Sequence, residues 1–259
     1  MKFDKYAGTG NDFILIDNRN FDFNKKDTQL IQLLCHRKLG IGADGLILLE
    51  NDDEVDFKMI YFNADGSTGA MCGNGGRCIV DFAHQLGIIS KKTTFRAADG
   101  LHRGEVFSDQ TIQISLRDVS NIDVQSDYYF LDTGCPHYVT FVKNLDKINI
   151  KTEGRAIRYD KKFSPDGTNV NFVEINQNGL TVATYERGVE NETQSCGTGV
   201  TASAIAYALA QKDTAHHQIA VKTKGGDLLV TFTKKEDRIQ DIHLKAKVEL
   251  VFQGYILGK

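Results

Sequence analysis

The sequence has little that would tie it to a membrane, a nucleic acid or a metal. No stretch approaches the roughly 18–20 apolar residues of a membrane span. The opening Met1-Lys2-Phe3-Asp4-Lys5-Tyr6 lacks the apolar run of a secretory leader. A formal net charge of −3 over 259 residues gives no attraction to polyanions, so neither nucleic acid nor an anionic membrane is an expected partner. No Cys-x-x-Cys or His-x-x-x-His pair occurs, which argues against a structural zinc; no metal or cofactor is expected. Five cysteines, an odd number in a long chain, fit free thiols in a reducing cytoplasm better than a disulfide framework. Prolines number only two, against 24 glycines. The length suffices for two modest domains with ample core.

What is present centres on Met71-Cys72-Gly73-Asn74-Gly75-Gly76-Arg77-Cys78. It follows a predicted strand, 57–62, and a turn, and it opens an apolar-periodic run, 79–86, closed by Gly87. A cysteine followed by a glycine-rich turn and a helix is a physical device. Free backbone N–H groups at a helix N-terminus bind anions and lower the pKa of a nearby thiol. The device recurs at Thr193-Gln194-Ser195-Cys196-Gly197-Thr198-Gly199, before the small-residue run 200–209.

The recurrence is part of a longer repeat. Aligning Gly10 with Gly134 also aligns Cys72 with Cys196, Glu50 with Glu174 and Tyr61 with Tyr185. In the first half, strands are predicted at 2–7, 13–17, 46–50, 57–62, 93–97, 101–107 and 111–116, with Asp99-Gly100 as a hairpin turn. One helix is read from Leu30, Ile31, Leu33, Leu34 and Leu39, closed by Gly40. The second half repeats this order. The expected fold is α+β: two pseudo-symmetric lobes from an internal duplication, each wrapping strands around a central helix with a cysteine at its N-terminus. The lobes are read as residues 1–117, completed by the C-terminal apolar run within 248–259, and 118–247. The polar segment 117–126 marks the boundary. The repeat also pairs unlike residues: Asn11 with Cys135, Phe13 with His137, Gly45 with Asn169, Phe62 with Glu186 and Asn63 with Arg187.

If the lobes pack about a pseudo-twofold axis, Cys72 and Cys196 face each other. Removing the α-proton of an amino acid without a cofactor is hard, because the carbanion is poorly stabilised. A thiolate is a usable base when its pKa lies near the working pH, and a thiol is the matching acid. Two such groups on opposite sides of a carbon would invert it, and the helix N-termini would hold a carboxylate. The plainer reading of each part is structural. Cys35 reads as a buried hydrophobe, as do Cys78 and Cys135. His137 and Glu186-Arg187 have surface or turn readings. Asn11, Asn63 and Asn169 suit turns. His102, His216, His217 and His243 read as surface residues.

At these residues the chain resembles the diaminopimelate epimerase family. The matching segments include Gly10-Asn11-Asp12-Phe13, Gly42-Ala43-Asp44-Gly45, Asn63-Ala64-Asp65-Gly66-Ser67, Pro136-His137, Asn169-Val170-Asn171-Phe172, Tyr185-Glu186-Arg187-Gly188 and both cysteine motifs. The resemblance covers essentially the whole chain. It implies a cofactor-independent isomerase interconverting LL- and meso-diaminopimelate, with an active site between two lobes and a homodimer. It implies Cys72 and Cys196 as the bases, and His137 and Glu186 as residues that tune the thiols. Asn11, Asn63, Asn169, Glu186 and Arg187 match substrate-binding positions. Gly73-Asn74 and Gly197-Thr198 would take the α-carboxylate on backbone N–H groups. Two departures are Cys135, where many members have asparagine, and Gly45, where some have glutamine. A proline or hydroxyproline racemase relative is the competing enzyme; a thiol redox or ligand-binding protein without turnover is the competing non-enzyme.

Overall fold

Short β-branched and aromatic runs, broken by glycine turns, give strands in both halves of the chain. In the computed structural model, which describes all residues except 70, 212–214, 237 and 257–259, the first such strands are β1 (Lys2–Gly8) and β2 (Asn11–Asp17). They are followed by α1 (Thr28–Cys35), β3 (Gly45–Glu50), β4 (Phe57–Asn63), α2 (Gly73–Gln85), β5 (Lys92–Ala97), β6 (Gly100–Val106) and β7 (Thr111–Ser115). The second half contains β8 (Asp123–Val124), β9 (Tyr129–Asp132), β10 (Pro136–Val142), α3 (Ile150–Arg158), β11 (Asn169–Asn176), β12 (Gly179–Glu186) and β13 (Asn191–Thr193). It continues with α4 (Gly197–Ala210), β14 (His216–Thr223), β15 (Gly226–Lys235) and β16 (Arg238–Lys247), and the chain returns through β17 (Glu249–Tyr255). Leu257, the end of the predicted C-terminal run, lies outside the described residues.

Two compact units divide the chain: Met1–Ile114 with the segment from Ala246 onward, and Ser115–Lys245. In the first, β1 pairs antiparallel with β2 and with β17. From β2 the pairings run parallel to β3, antiparallel to β4, parallel to β5 and antiparallel to β6. The second unit repeats that alternation through β9, β10, β11, β12, β14 and β15. The register repeats as well. Phe13 stands opposite Gly45 and His137 opposite Asn169, so each residue of the second pair lies 124 positions after its counterpart. The duplication is therefore present in the hydrogen bonding as well as in the residues.

Each unit has one helix buried on nearly all sides. In α2 the residues Gly73 to Val80 are buried, with Phe82 and Ala83, and the helix packs on β1, β2, β3 and β6. In α4 the buried set runs from Gly199 to Ala206, against β9 to β12, β14 and β15. Small residues and an all-round apolar surface are what such a position requires. A second core lies on the other side of the first sheet, where Ile31, Leu34 and Cys35 of α1 meet Ile14, Ile16, Leu46 and Leu48. In the second unit Ile150 of α3 meets Val170, Phe172 and Tyr185.

Two expectations are corrected here. Helix α1 stops at Cys35 instead of running to Leu39, which is exposed. His36 turns the chain into an extended conformation, and its Nδ1 accepts from the backbone N–H groups of Lys38 and Leu39, each at 3.1 Å. Those donors would otherwise have continued the helix. His102 is buried, not on the surface: it occupies an inward position of β6, stacks on Phe95 and pairs with Asp99 at 2.9 Å. Helix α3 stands where the repeat puts a counterpart of α1; it is capped by Asn149, whose side chain accepts from Thr152 N.

Candidate active site

Both cysteines occupy the N-cap position of the buried helix in their own unit. Cys72 precedes α2 with extended φ and ψ of −104° and 119°, and Cys196 precedes α4 with −117° and 108°. Their carbonyls accept from Gly76 N at 2.7 Å and Val200 N at 2.8 Å, closing the first turn. Neither side chain caps its helix. The first-turn amides that Ser or Asp would ordinarily satisfy therefore point at the place an anion would occupy. Cys72 is half-buried and Cys196 buried.

In the first unit a chain of amides braces this helix start. Asn74 Nδ2 donates to Asn11 Oδ1 at 2.7 Å, and Asn11 Nδ2 donates to Asp44 Oδ2 at 2.9 Å. Asp44 is held in turn by Arg37 at 2.6 Å. Asn11 thus has both ends of its amide fixed and presents one face only. Asn63, at the end of β4, is tied into its own turn, donating to Ser67 Oγ at 3.1 Å; no hydrogen bond brings it to the Asn11–Asn74 pair. Gly45 has no room for a longer side chain such as glutamine, since a Cβ there would lie 2.4 Å from the Tyr61 ring and 2.5 Å from Phe62 O.

In the second unit three side chains meet around the Thr198 hydroxyl. His137 Nε2 lies 2.9 Å from it, and the sulfurs of Cys135 and Cys196 lie 3.4 Å from it. Proton positions follow from the far end of the network. Thr184 Oγ1 donates to Asn171 Oδ1 at 2.9 Å, which turns Asn171 Nδ2 toward His137 Nδ1 at 3.0 Å. The Nδ1 atom is therefore the acceptor, and Nε2 carries the hydrogen and donates to Thr198. That frees the Thr198 hydroxyl hydrogen for a sulfur. Burial, and then the nearby charge of Arg187, pull the His137 imidazole down to about 3, so the ring is neutral at working pH. Burial, followed by the Glu186 carboxylate, pushes the Cys196 thiol well above its ordinary value, against the opposing donation from Thr198. In this arrangement Cys196 is an acid.

Asn169 orients the neighbouring loop, accepting from Arg187 N at 2.8 Å and donating to Pro136 O at 3.0 Å. Glu186 and Arg187 are half-buried at the end of β12 and just beyond it. Close packing holds the network together: a Cβ on Gly199 would lie 2.3 Å from Asn171 Oδ1. Within each unit, most of the residues singled out in the sequence come together; Asn171 and Thr184 were missed as parts of the site. Asn171 had a signal only in the Asn169-Val170-Asn171-Phe172 match and Thr184 had none, because their partners are fixed by strand register.

Cys135 is not the packing residue its sequence reading suggested. Its sulfur lies 3.3 Å from His137 Nε2 and accepts from Asn169 Nδ2 at 3.2 Å. An asparagine oxygen could accept from Asn169 Nδ2 and from the Thr198 hydroxyl in the same way. Cys135→Asn is accordingly expected to keep kcat/KM within a few-fold. A loss as large as that of a helix-cap cysteine would show that Cys135 has taken on proton transfer.

The family model for diaminopimelate epimerase matches residues 3–120 and again 129–247. The chain belongs to the diaminopimelate epimerase family. It is 49% identical over 257 residues to the diaminopimelate epimerase of Flavobacterium psychrophilum, covering 99% of this chain and all of that one. The Aquifex aeolicus diaminopimelate epimerase is 39% identical, covering 98% and 97%. Among solved structures, a PhzF-family phenazine biosynthesis protein from Bacillus anthracis superposes with a TM-score of 0.78 at 15% identity, over 99% of each chain. A hydroxyproline epimerase from Agrobacterium vitis gives 0.69 at 11% identity, over 98% of this chain and 91% of that one. At such identities these two show the fold alone.

Proposed function

We propose that this protein is a cofactor-independent isomerase that interconverts LL- and meso-2,6-diaminopimelate, serving lysine and peptidoglycan precursor synthesis. Within this family, the observation that carries the reading is the pair of cysteines at matched helix N-caps. One thiolate takes the α-hydrogen as a proton, and the C–H electron pair stays on carbon, delocalised toward the α-carboxylate. The other thiol delivers its proton to the opposite face, and the two sulfurs exchange protonation states. The amides of Gly73-Asn74 and Gly197-Thr198 hold the carboxylate and stabilise the charge that builds there. Asn11, Asn63, Asn169 and Glu186 position the remaining polar groups, and Arg187 suits a carboxylate. His137 acts as a neutral donor through Thr198, and Glu186 keeps Cys196 protonated until substrate arrives.

The protein acts on a small molecule in the cytoplasm, as a homodimer. No helix among the described residues is long and apolar enough to cross a membrane. Leu250, Val251, Phe252 and Tyr255 of β17 are exposed, and an apolar strand of this kind suits a second copy. Sedimentation at micromolar concentration is expected to give twice the chain mass; a single chain would exclude the dimer.

Proton NMR in deuterium oxide tests the reaction directly. Incubation of LL-diaminopimelate with the protein should erase the α-proton signal, while proline and hydroxyproline keep theirs. A cyclic imino acid has no distal charged end and would leave Arg187 without a partner. Retention of the diaminopimelate signal would overturn the proposal.

A further inference from the structure

The first unit buries a cation without burying an anion beside it. Arg77, one turn into α2, has no exposed surface. Its Nη2 donates to Thr9 Oγ1 and Asn74 Oδ1, each at 2.6 Å, and its Nη1 donates to Gly73 O at 3.3 Å. All three acceptors are neutral, and the Nε has none. Among the described residues no carboxylate pairs with it. An unpaired buried guanidinium is costly, and proteins ordinarily supply an anion.

Among the described residues, the groups that offset this charge are two thiols, Cys78 beside it in the chain and Cys72, whose neighbour Gly73 it holds. Burial pulls the guanidinium down to about 10, and only Cys78 and Cys72 act against that fall. Cys78 is fully buried and burial pushes its thiol far up, so it stays protonated. Cys72 remains, half-buried at the helix start whose Gly73 carbonyl Arg77 holds. Other ionisable groups on or beside this helix have partners of their own: on the packed strands Asp4 accepts from Gln253, Lys5 pairs with Asp12, His102 with Asp99 and Glu105 with Lys92. Asp81 accepts from the Tyr6 hydroxyl at 3.0 Å, Asp44 holds Arg37 and Asn11, and His84 Nδ1 faces Ile89 O at 3.4 Å.

We propose that Arg77 is the fixed counter-charge of Cys72: a positioning residue whose buried guanidinium, added to the α2 N-terminus, lets this thiol ionise as a base. The inference rests on the two-base reading above. It also explains why the arginine makes only neutral contacts. A resident carboxylate would cancel the field that the thiolate needs when the proton is taken, and would leave Cys72 a weaker acid.

The test is the pH dependence of Cys72 alkylation by iodoacetamide, read on the Cys72 peptide by mass spectrometry in the full-length protein. Arg77→Met should raise the alkylation midpoint by about one pH unit or more, a tenfold slower reaction at a fixed pH below it. Arg77→Lys, which keeps a charge, should recover most of that shift. The limb of the kcat/KM profile that reports the thiolate should move in parallel. A folded Arg77→Met protein with an unchanged midpoint would reduce Arg77 to a clamp on Thr9 and Asn74. If that variant does not fold, wild-type protein decides: a buried partner predicts a midpoint nearly constant between low and molar salt. A marked upward shift with salt would assign the field to exposed charges and overturn the proposal. Alkylation is independent of turnover. A midpoint shift alongside failure to exchange the diaminopimelate α-proton would keep this inference and sink the catalytic reading; the reverse result would do the opposite.

Discussion

Replacing either Cys72 or Cys196 with alanine is expected to abolish epimerisation, with kcat falling by roughly a thousandfold or more. The fold should survive. Cys72 is half-buried, so its sulfur contributes little packing, and Cys196 loses only one buried sulfur at a helix start. A loss of about 1 kcal/mol, read from urea unfolding, is the most either change should cost. The contrast is with Cys35→Ala and Cys78→Ala. Burial raises the Cys35 thiol to about 11 and the Cys78 thiol further still, so neither ionises at working pH. These two variants should turn over normally at a temperature where they remain folded, with their cost showing in stability. Turnover near the wild-type rate in Cys72→Ala or Cys196→Ala would end the two-base assignment. Either single loss is expected to be almost as severe as the double, since inversion needs a proton taken from one face and another given to the opposite face.

The parts of this site that the sequence announced are those whose physics is local. A cysteine before a glycine-rich turn and an apolar run is an N-cap by short-range rules, so both Cys72 and Cys196 were legible with their helices. The duplication was legible because a constant spacing survives strand by strand, as the matched Phe13–Gly45 and His137–Asn169 pairings show. Contacts set by register were not. Asn171 reaches His137 across the parallel β10–β11 pair, and Thr184 reaches Asn171 across β11–β12. Nothing in either local sequence separates those residues from ordinary strand polar groups. Arg77 was hidden differently. An arginine on a helix reads as solvated, and only the all-round burial of α2 reveals that its charge is enclosed. Helix α1 was overextended because Leu39 fits the apolar period, whereas the capture of two N–H groups by the His36 ring belongs to tertiary geometry.

His137→Gln is expected to flatten the acid dependence of stability while leaving much of the activity. The folded ring titrates at about 3 and the unfolded one near 6.5, so between those values the unfolded chain holds a proton that the folded chain refuses. Stability therefore rises with pH across this window and is lost as pH falls through it, by up to about 1.4 kcal/mol per unit. From pH 7 to pH 4.5 the wild type should lose on the order of 2–3 kcal/mol through this ring. A glutamine does not titrate, and it offers an oxygen to Asn171 and an N–H to Thr198 in place of the two ring nitrogens. The variant should start less stable at pH 7 and close the gap at pH 4.5. Asp12, brought from 3.8 to about 2 by Arg37 and Lys5 in spite of burial, changes mainly below pH 4.5 and is common to both proteins. Urea unfolding of the pair at the two pH values gives the difference directly. Parallel losses would mean that the buried ring is already protonated when folded, or that the unfolded ring is not. Activity supplies the second arm. A neutral donor acting through Thr198 is replaceable by an amide, so kcat/KM should fall less than about tenfold. A thousandfold loss would instead require the imidazole to carry the proton itself, and Thr198 would then be its relay to Cys196.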